Sequence, residues 1–314
     1  MSKRKNQVKY VLAAYEESFA IEKKNSSEAH IESLRSDSLA GYRVKTIKSG
    51  PILEVEAYPF WKIPQSRKKR SEESSQAQKN LNDKNTKKHV TRLINANFRS
   101  FVDLWLTYTY PPGKMPADFE QAKKDMTNLI RRMKNWLKKR EQYKGFELKY
   151  IYVTEHTRDG NKVRAHHHMV TNFPDRDVAE ELWNCGGRTQ SRRLQGDDFG
   201  FEGMARYITK EKGNKTMKRY TPSRNLKQPT VTVADTKLTR RRAEKIAKEE
   251  ISAQETFESW HKGYQFKDMQ VQFSDFVSGA YLYVRMKRID SPVKQKGDWM
   301  NENNQHYKPK GRSG

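Results

Sequence analysis

The chain has 314 residues, with 63 Lys and Arg against 38 Asp and Glu, and a formal net charge of +25. Such an excess predicts a polyanionic partner, because each neutralised phosphate releases counterions and adds affinity. No apolar run approaches the roughly 20 residues that span a bilayer, and no basic amphipathic helix has an aromatic-rich face. Composition therefore excludes a membrane span and favours a nucleic-acid-binding protein without a membrane partner.

The cysteine content and the first residues indicate the compartment. Cys185 is the only cysteine, so no internal disulfide can form, as is typical of a reducing compartment. The basic N-terminus is followed by an apolar stretch at 11–14 that is too short for a signal-peptide core. We therefore expect a cytoplasmic protein.

Residues 1–97 are predicted to form an N-terminal extension. Apolar and polar residues alternate at 42–48 and again at 52–58, on either side of a turn that contains Gly50. This pattern predicts a β-hairpin over about 42–58. The basic, Ser- and Asn-rich stretch at 66–88 is interpreted as a linker or a polar helix.

Residues 98–289 carry stronger signals and are predicted to form the main domain. The segment 104–110 is rich in β-branched and aromatic residues, which predicts a strand. Apolar residues recur at helical spacing from Phe119 to Leu137 and predict an amphipathic helix. Further elements are predicted as strands at 148–155 and 164–172 around an Asp159-Gly160 turn, short helices at 175–183 and 201–211, a charged helix at 235–260, and a hairpin of strands 264–273 and 279–287.

The order of these elements indicates the fold class. Strand, helix, strand, strand, helix predicts an α+β fold, with a central antiparallel β-sheet and helices packed on it. Polar N- and C-terminal extensions flank this domain. The tail at 290–314 contains Gly and Pro among polar residues and is expected to be disordered.

Three consecutive histidines, His166 to His168, lie on the strand that returns from the Asp159-Gly160 turn. Successive side chains of a strand point to opposite faces, so the first and third histidine share a face. Two imidazoles at this spacing can bind one divalent cation. The alternative is a polar, exposed strand whose histidines hold nothing.

Glu155 is the predicted third ligand of this cation. A two-residue loop at 159–160 would place it diagonal to His166, and a four-residue loop at 159–162 would place it directly opposite. Either register makes Glu155 converge with His166 and His168, whereas a one-residue slip would separate them. Two imidazoles and one carboxylate leave positions open for a phosphate, and Mn²⁺ tolerates nitrogen ligands better than Mg²⁺, although both ions remain candidates.

The segment 201–210 predicts a helix with Tyr207 at its edge. Phe201, Met204, Ala205 and Ile208 form a core-facing stripe, while Tyr207 and Lys210 are neighbours on its flank. A tyrosine oxygen can attack phosphorus, but with an ordinary pKa near 10 it needs a neighbouring positive charge. Lys210 has the right spacing for that role. Alone, a tyrosine at a helix edge is more typical of packing.

Taken in order, these segments resemble the three motifs of the HUH endonucleases. The first is Leu104–Tyr110, the second is the histidine run with Glu155 before it, and the third is Tyr207–Lys210. Over residues 98–215 the chain is similar to rolling-circle replication initiators (Rep proteins) of plasmids and bacteriophages. This resemblance implies the tyrosine helix beside the metal and nicking of single-stranded origin DNA. It also implies a 5′-phosphotyrosine intermediate and a 3′-OH that primes a host DNA polymerase, within a bacterial host cell.

Two departures from the family pattern bear on the site. The middle position of the second motif is usually bulky and hydrophobic in this family, but here it is His167. His167 and His168 with another group therefore remain an alternative ligand set. No second tyrosine lies one helical turn from Tyr207, so we expect it to act alone, and Tyr220 lies outside the predicted helix.

Several basic residues near these motifs are candidate DNA contacts: Arg192, Arg193, Arg206, Lys212 and Lys215. No Gly-x-x-x-x-Gly-Lys-[Ser/Thr] run occurs, so a fused helicase is not expected and a host helicase would unwind the DNA. Three alternatives remain. A conjugative relaxase and a single-strand transposase would use the same chemistry, and a basic DNA-binding regulator would use none.

Overall fold

The computed structural model describes residues 8–10, 41–60, 76–158, 161–209, 219–272 and 279–289. The chain divides into two units that alternate along the sequence. The first unit comprises residues 1–97, 196–212 and 227–288, and the second comprises 98–195, 213–226 and 289–314. Among the helices in the described ranges, none is both long and apolar enough to cross a membrane.

Eleven strands and six α-helices are defined within the described ranges. The strands are β1 (Val8–Tyr10), β2 (Gly41–Ser49), β3 (Ile52–Phe60), β4 (Leu104–Thr109), β5 (Tyr150–Arg158), β6 (Asn161–Thr171), β7 (Thr189–Arg193), β8 (Thr221–Pro222), β9 (Thr230–Leu238), β10 (Tyr264–Gln272) and β11 (Tyr281–Arg288). The helices are α1 (Gln76–Asn97), α2 (Phe119–Lys138), α3 (Arg176–Glu181), α4 (Glu202–Ile208), α5 (Arg240–Ala247) and α6 (Ala253–Trp260).

The first unit is built on a six-stranded sheet in the order β1-β10-β11-β3-β2-β9. The predicted hairpins form as β2–β3 and β10–β11, and β3 pairs with β11 to join them. All neighbours are antiparallel except β1 and β10. Helices α5 and α6 contribute Ile246 and Phe257 to a buried apolar cluster with Val55 and Leu282 of the sheet. Burial of these side chains is the main stabilising term on this side of the sheet.

Polar contacts attach helices α1 and α4 within the first unit. Arg92 of α1 forms ion pairs with Glu54 and Glu56 of β3. The Oδ1 atom of buried Asn95 accepts a hydrogen bond of 2.9 Å from the backbone N–H of Phe201, directly before α4. An Asn at this position therefore fixes where α4 begins.

The single charged helix predicted over 235–260 is wrong. The first residues of that segment belong to β9, and the remainder forms α5 and α6. The hydroxyls of Thr239 and Ser252 each accept a backbone N–H and begin a new helix. Glu249, between the helices, has a φ of 61°, which ends the first one. The high charge of the segment concealed these two helix starts.

The second unit is built on a five-stranded antiparallel sheet in the order β7-β4-β6-β5-β8. The predicted amphipathic helix forms as α2, and Asp118 caps its N-terminus by accepting the N–H of Gln121 at 2.8 Å. Its buried side includes Met126 and Met133, which belong to one apolar cluster with Leu106 of β4. The sheet therefore has one face covered by apolar packing and a second face that can carry polar groups.

These elements confirm the predicted α+β class, with two sheets instead of one central sheet. Strand β7 was not predicted, because Thr189–Arg193 is too polar to show a strand pattern. The predicted division into 1–97, 98–289 and 290–314 stays a prediction. The tail that was expected to be disordered lies outside the described residues.

Gly187 provides a test of the packing between β4 and the segment before β7. It has a φ of +83°, and a Cβ there would lie 2.3 Å from the backbone oxygen of Thr109. Gly113 has a similar φ of +78°, and a Cβ there would have nothing within 4 Å, so it is a matched control. We expect Gly113→Ala to lower the free energy of unfolding by about 1 kcal/mol and Gly187→Ala by about 3 kcal/mol. Urea unfolding followed by tryptophan fluorescence measures both, and equal losses would contradict the described packing.

Candidate metal centre

The three histidines of β6 divide between the two faces of the five-stranded sheet. In the pairing of β4 with β6, Thr107 is opposite His168 and Tyr108 is opposite His167. Cross-strand partners share a face, so His166 and His168 lie on the face opposite to the buried Tyr108. This is the division that strand alternation predicts.

The β5–β6 hairpin places Glu155 directly opposite His166. Arg158 pairs with Asn161, as a two-residue loop requires, but the register shifts between Glu155 and Thr157. A uniform ladder from that loop would have paired Glu155 with another residue and left it diagonal to His166. The bulge therefore produces the direct pairing that the sequence associated with a longer loop, and residues 159–160 lie outside the described ranges.

Glu155, His166 and His168 bring three ligand atoms together on this face. Nε2 of His166 lies 3.3 Å from Oε2 of Glu155, and Nε2 of His168 lies 3.7 Å from Oε1. All three ligand atoms lie within 4.8 Å of one another. Bonds of about 2.1 Å to one cation place neighbouring ligand atoms roughly 3 Å apart, so small rotamer changes would close the group. These three side chains could hold a metal ion.

The exposure of the three side chains leaves one side of the group open. Glu155 and His168 are buried, whereas 24% of the His166 side chain is exposed. A cation at this position would thus have protein ligands on its inner side and access to solvent at His166. Such an open position is what a catalytic metal needs and a structural metal lacks.

Two residues of β4 hold the His168 ring. The Oγ1 atom of Thr107 lies 3.0 Å from Nδ1 of His168, and the Trp105 ring stacks on the imidazole at 5.1 Å between centroids. If Nδ1–H donates to Thr107, the lone pair of Nε2 is free to bind a cation. Neither residue was predicted as part of the site. Their alternation along β4 could have indicated a shared face, but the offset between β4 and β6 could not be read from the sequence.

His167 belongs to the apolar side of the sheet. Its side chain is buried, Nε2 lies 2.9 Å from the hydroxyl of Tyr110, and Nδ1 lies 2.9 Å from Oγ1 of Thr154. Burial, followed by the charges of His166 and His168, lowers the pKa of His167 to about 3. His167 is therefore a neutral, hydrogen-bonded core residue. It does not belong to the group formed by Glu155, His166 and His168.

Tyr207 lies on α4, in the first unit of the chain, whereas the three metal-ligand candidates lie in the second. Phe201, Ala205 and Ile208 are buried, as the predicted stripe required, and Met204 is partly buried. The Tyr207 side chain is 48% exposed. Its predicted partner Lys210 lies outside the described residues, as do Lys212 and Lys215.

The remaining candidate DNA contacts are exposed. Arg192 pairs with Trp105 across β7 and β4, so it shares the face of the metal-ligand candidates. Arg193 points to the other face and donates to the backbone oxygen of Val102. Arg206 forms an ion pair of 2.5 Å with Glu202, four residues earlier on α4. Arg192 is thus the basic residue most directly associated with this face.

Comparison with known proteins places this site in a recognised family segment. Residues 103–212 match a family model for replication-associated proteins of the ORF2 type, a rolling-circle Rep-type family. The matched segment contains β4, the hairpin with Glu155, and Tyr207. Comparisons with curated proteins and with solved structures found no match. The family match confirms the resemblance to rolling-circle replication proteins that the motifs indicated.

Metal binding can be measured directly. We expect His166→Ala, His168→Ala and Glu155→Gln each to weaken Mn²⁺ binding at least about tenfold, because each removes one ligand. His167→Ala should retain Mn²⁺ binding but lower the free energy of unfolding by about 2–4 kcal/mol, because it leaves a cavity and removes the partner of two buried hydroxyls. Isothermal titration calorimetry and urea unfolding separate the two effects. Loss of binding in a folded His167→Ala protein would overturn the assignment of faces.

The role of Thr107 in orienting His168 is tested by a pair of variants on one strand. Thr107→Val removes the hydroxyl beside Nδ1 and should weaken Mn²⁺ binding by about tenfold, as loss of a ligand's hydrogen-bond partner commonly does. Thr109→Val is the matched control, because Thr109 hydrogen-bonds the backbone oxygen of Arg188 and no histidine. Equal affinities of the two variants for Mn²⁺ would show that the Thr107 hydroxyl does not orient the ligand.

Proposed function

We propose, from the replication-associated family that residues 103–212 match, that this protein initiates rolling-circle replication by nicking single-stranded origin DNA. One observation carries the proposal: Glu155, His166 and His168 form a group that could bind a metal on an open sheet face, within the matched segment. A protein that only binds DNA has no need of such a group.

The donor set fits a divalent cation that acts on a phosphate. Two imidazoles and one carboxylate suit Mn²⁺, and Mg²⁺ is the other candidate. When bound, the cation would polarise the scissile phosphate and offset its negative charge. The residues themselves supply the geometry, because His168 is held by Thr107 and Trp105, and Glu155 is held opposite His166.

In the proposed reaction, the Tyr207 oxygen attacks the phosphorus of a single-stranded DNA phosphodiester. A bond forms between phosphorus and the tyrosine oxygen, and the bond from phosphorus to the 3′ oxygen breaks. The tyrosine loses its proton, and the departing 3′ oxygen gains one and becomes a 3′-OH. The ammonium group of Lys210 would offset charge on the phosphate during attack. One ester replaces another, so the 5′-phosphotyrosine can later be attacked by a 3′-OH and the strand rejoined.

Basic residues and host proteins would complete the process. Arg192, Arg193 and Arg206 are exposed and would contact DNA phosphates, and we assign the same role to Lys212 and Lys215. A host helicase would unwind the duplex, and a host DNA polymerase would extend the released 3′-OH. We place this reaction in the cytoplasm of a bacterial host.

The proposed nucleophile is tested with single-stranded oligonucleotides that tile the protein's gene and its flanking DNA. Each carries a fluorescent label at its 3′ end, because a 5′-phosphotyrosine retains the 3′ fragment on the protein. With Mn²⁺, we expect a labelled protein band on a denaturing gel that disappears with EDTA and in Tyr207→Phe.

Tyr220→Phe is the matched control and should retain the labelled band. A band that persists in Tyr207→Phe would assign the nucleophile to another residue. If the unmodified protein gives no band with any oligonucleotide, a non-catalytic DNA-binding regulator becomes the better account. A band produced with oligonucleotides from a conjugative transfer origin or a transposon end would instead indicate a relaxase or a transposase.

A further inference from the structure

A second surface of the five-stranded unit has the composition of a nucleic-acid site. A cavity of about 780 Å³ lies between the end of α2, the segment that follows it, and the loop after β8. We call it the lysine–tyrosine groove, and its lining is formed by Lys134, Leu137, Lys138, residues 143–148, Tyr150 and residues 223–225. None of these residues belongs to the group around Glu155 or to α4.

Aromatic rings line the floor of the groove. Tyr143, Phe146 and Tyr150 are each partly buried, so each ring keeps an accessible part. The Tyr143 ring is packed against Trp136 at 5.3 Å and Phe146 at 6.0 Å between centroids. Rings supported from behind in this way present a fixed surface on which a nucleobase can stack.

Basic side chains surround these rings. Lys134 and Lys138 lie one turn apart on α2, and Lys144 and Arg224 also line the groove. Glu147 is the one acidic residue in the lining, and Lys144 also forms an ion pair of 3.1 Å with Glu141 outside it. The lining therefore carries four cationic groups against one carboxylate, which complements a phosphate backbone.

Hydrogen bonds hold the loop that forms one wall. The backbone N–H of Ser223 donates to the oxygen of Tyr150 at 2.8 Å, and the N–H of Tyr150 donates to the Ser223 hydroxyl at 3.1 Å. The amide of Asn225 donates to the oxygen of Leu148 at 3.2 Å. The groove is thus preformed, which lowers the entropic cost of binding a ligand there.

The groove is separate from the candidate metal centre. Tyr150 precedes Glu155 by five residues on β5, a distance of about 17 Å along a strand. The odd difference in number also sends the two side chains to opposite faces of the sheet. A ligand in the groove would therefore contact none of the three metal-ligand candidates.

We propose that the lysine–tyrosine groove is a second binding site for single-stranded DNA. Bases stack on the recessed rings of Tyr143 and Phe146, while Lys134, Lys138 and Arg224 contact phosphates. Duplex DNA is a poorer ligand, because its bases are already stacked and cannot enter the cavity. The groove would retain one part of the strand while another part is processed, and that role, though not the binding itself, rests on the proposed function.

The test measures binding by the full chain in EDTA, which removes metal-dependent nicking. The probe is a fluorescein-labelled 20-nucleotide mixed-sequence single strand, followed by fluorescence anisotropy over a range of salt concentrations. Lys134→Gln/Lys138→Gln should weaken binding about tenfold and reduce the slope of log K against log salt by about 1.4, which is 0.7 for each lost phosphate contact. Tyr143→Leu/Phe146→Leu should weaken binding about tenfold without changing the slope, because stacking releases few ions.

Matched controls lie on the same unit but outside the groove. Lys124→Gln/Lys139→Gln removes the same charge from α2 and its C-terminal cap, and Phe101→Leu removes a ring that is 69% exposed. Both controls should bind as the unmodified chain does. If the groove variants bind like these controls, or if both lysine pairs reduce the slope equally, the groove is not a specific site.

Photo-crosslinking locates the contact independently of any change in stability. A 4-thiothymidine oligonucleotide should crosslink within residues 143–150 of the unmodified chain, and its absence there would overturn the proposal. The outcomes also separate the two proposals. Groove variants that lose binding in a chain that forms no covalent adduct would leave the groove intact and reject nicking. Normal adducts with unaffected groove variants would reject the groove alone.

Discussion

Alternation of side chains along β6 is the constraint on which the candidate site depends. Three adjacent histidines cannot share one environment, because each peptide unit of a strand reverses the side-chain direction. His167 is directed into the core, where burial keeps it neutral and two hydroxyls hydrogen-bond its ring. His166 and His168 are directed to the opposite face beside Glu155. One local rule thus separates a structural histidine from two candidate ligands.

The apolar side of the five-stranded sheet gives this arrangement its rigidity. Packing of α2 on Leu106 and Met169 buries one face of β4 and β6. The other face then carries its polar groups on a backbone that is fixed from behind. Thr107 and Trp105 extend the same support to His168 on the site side. The site is therefore held by the sheet itself, which is more rigid than a loop.

Features that depend on local periodicity could be predicted from the sequence. They include the α+β class, the amphipathic α2, both hairpins of the six-stranded sheet and the separation of His167 from its neighbours. Pairings between distant segments, such as that of Thr107 with His168, could not be predicted, because nothing local fixes the offset of two strands. The bulge after Glu155 was missed for the same reason, and the division of 235–260 into β9, α5 and α6 was hidden by its charge.

The central claim is that Glu155, His166 and His168, and not His167, bind a divalent cation. Pulsed electron paramagnetic resonance of the Mn²⁺-loaded chain with ¹⁵N-labelled histidine tests it most directly, because imidazole nitrogens bound to the ion modulate the spin echo. The account predicts two coupled histidine nitrogens in the unmodified protein and one in either His166→Ala or His168→Ala. Absence of nitrogen coupling, or a signal that depends on His167, would contradict it.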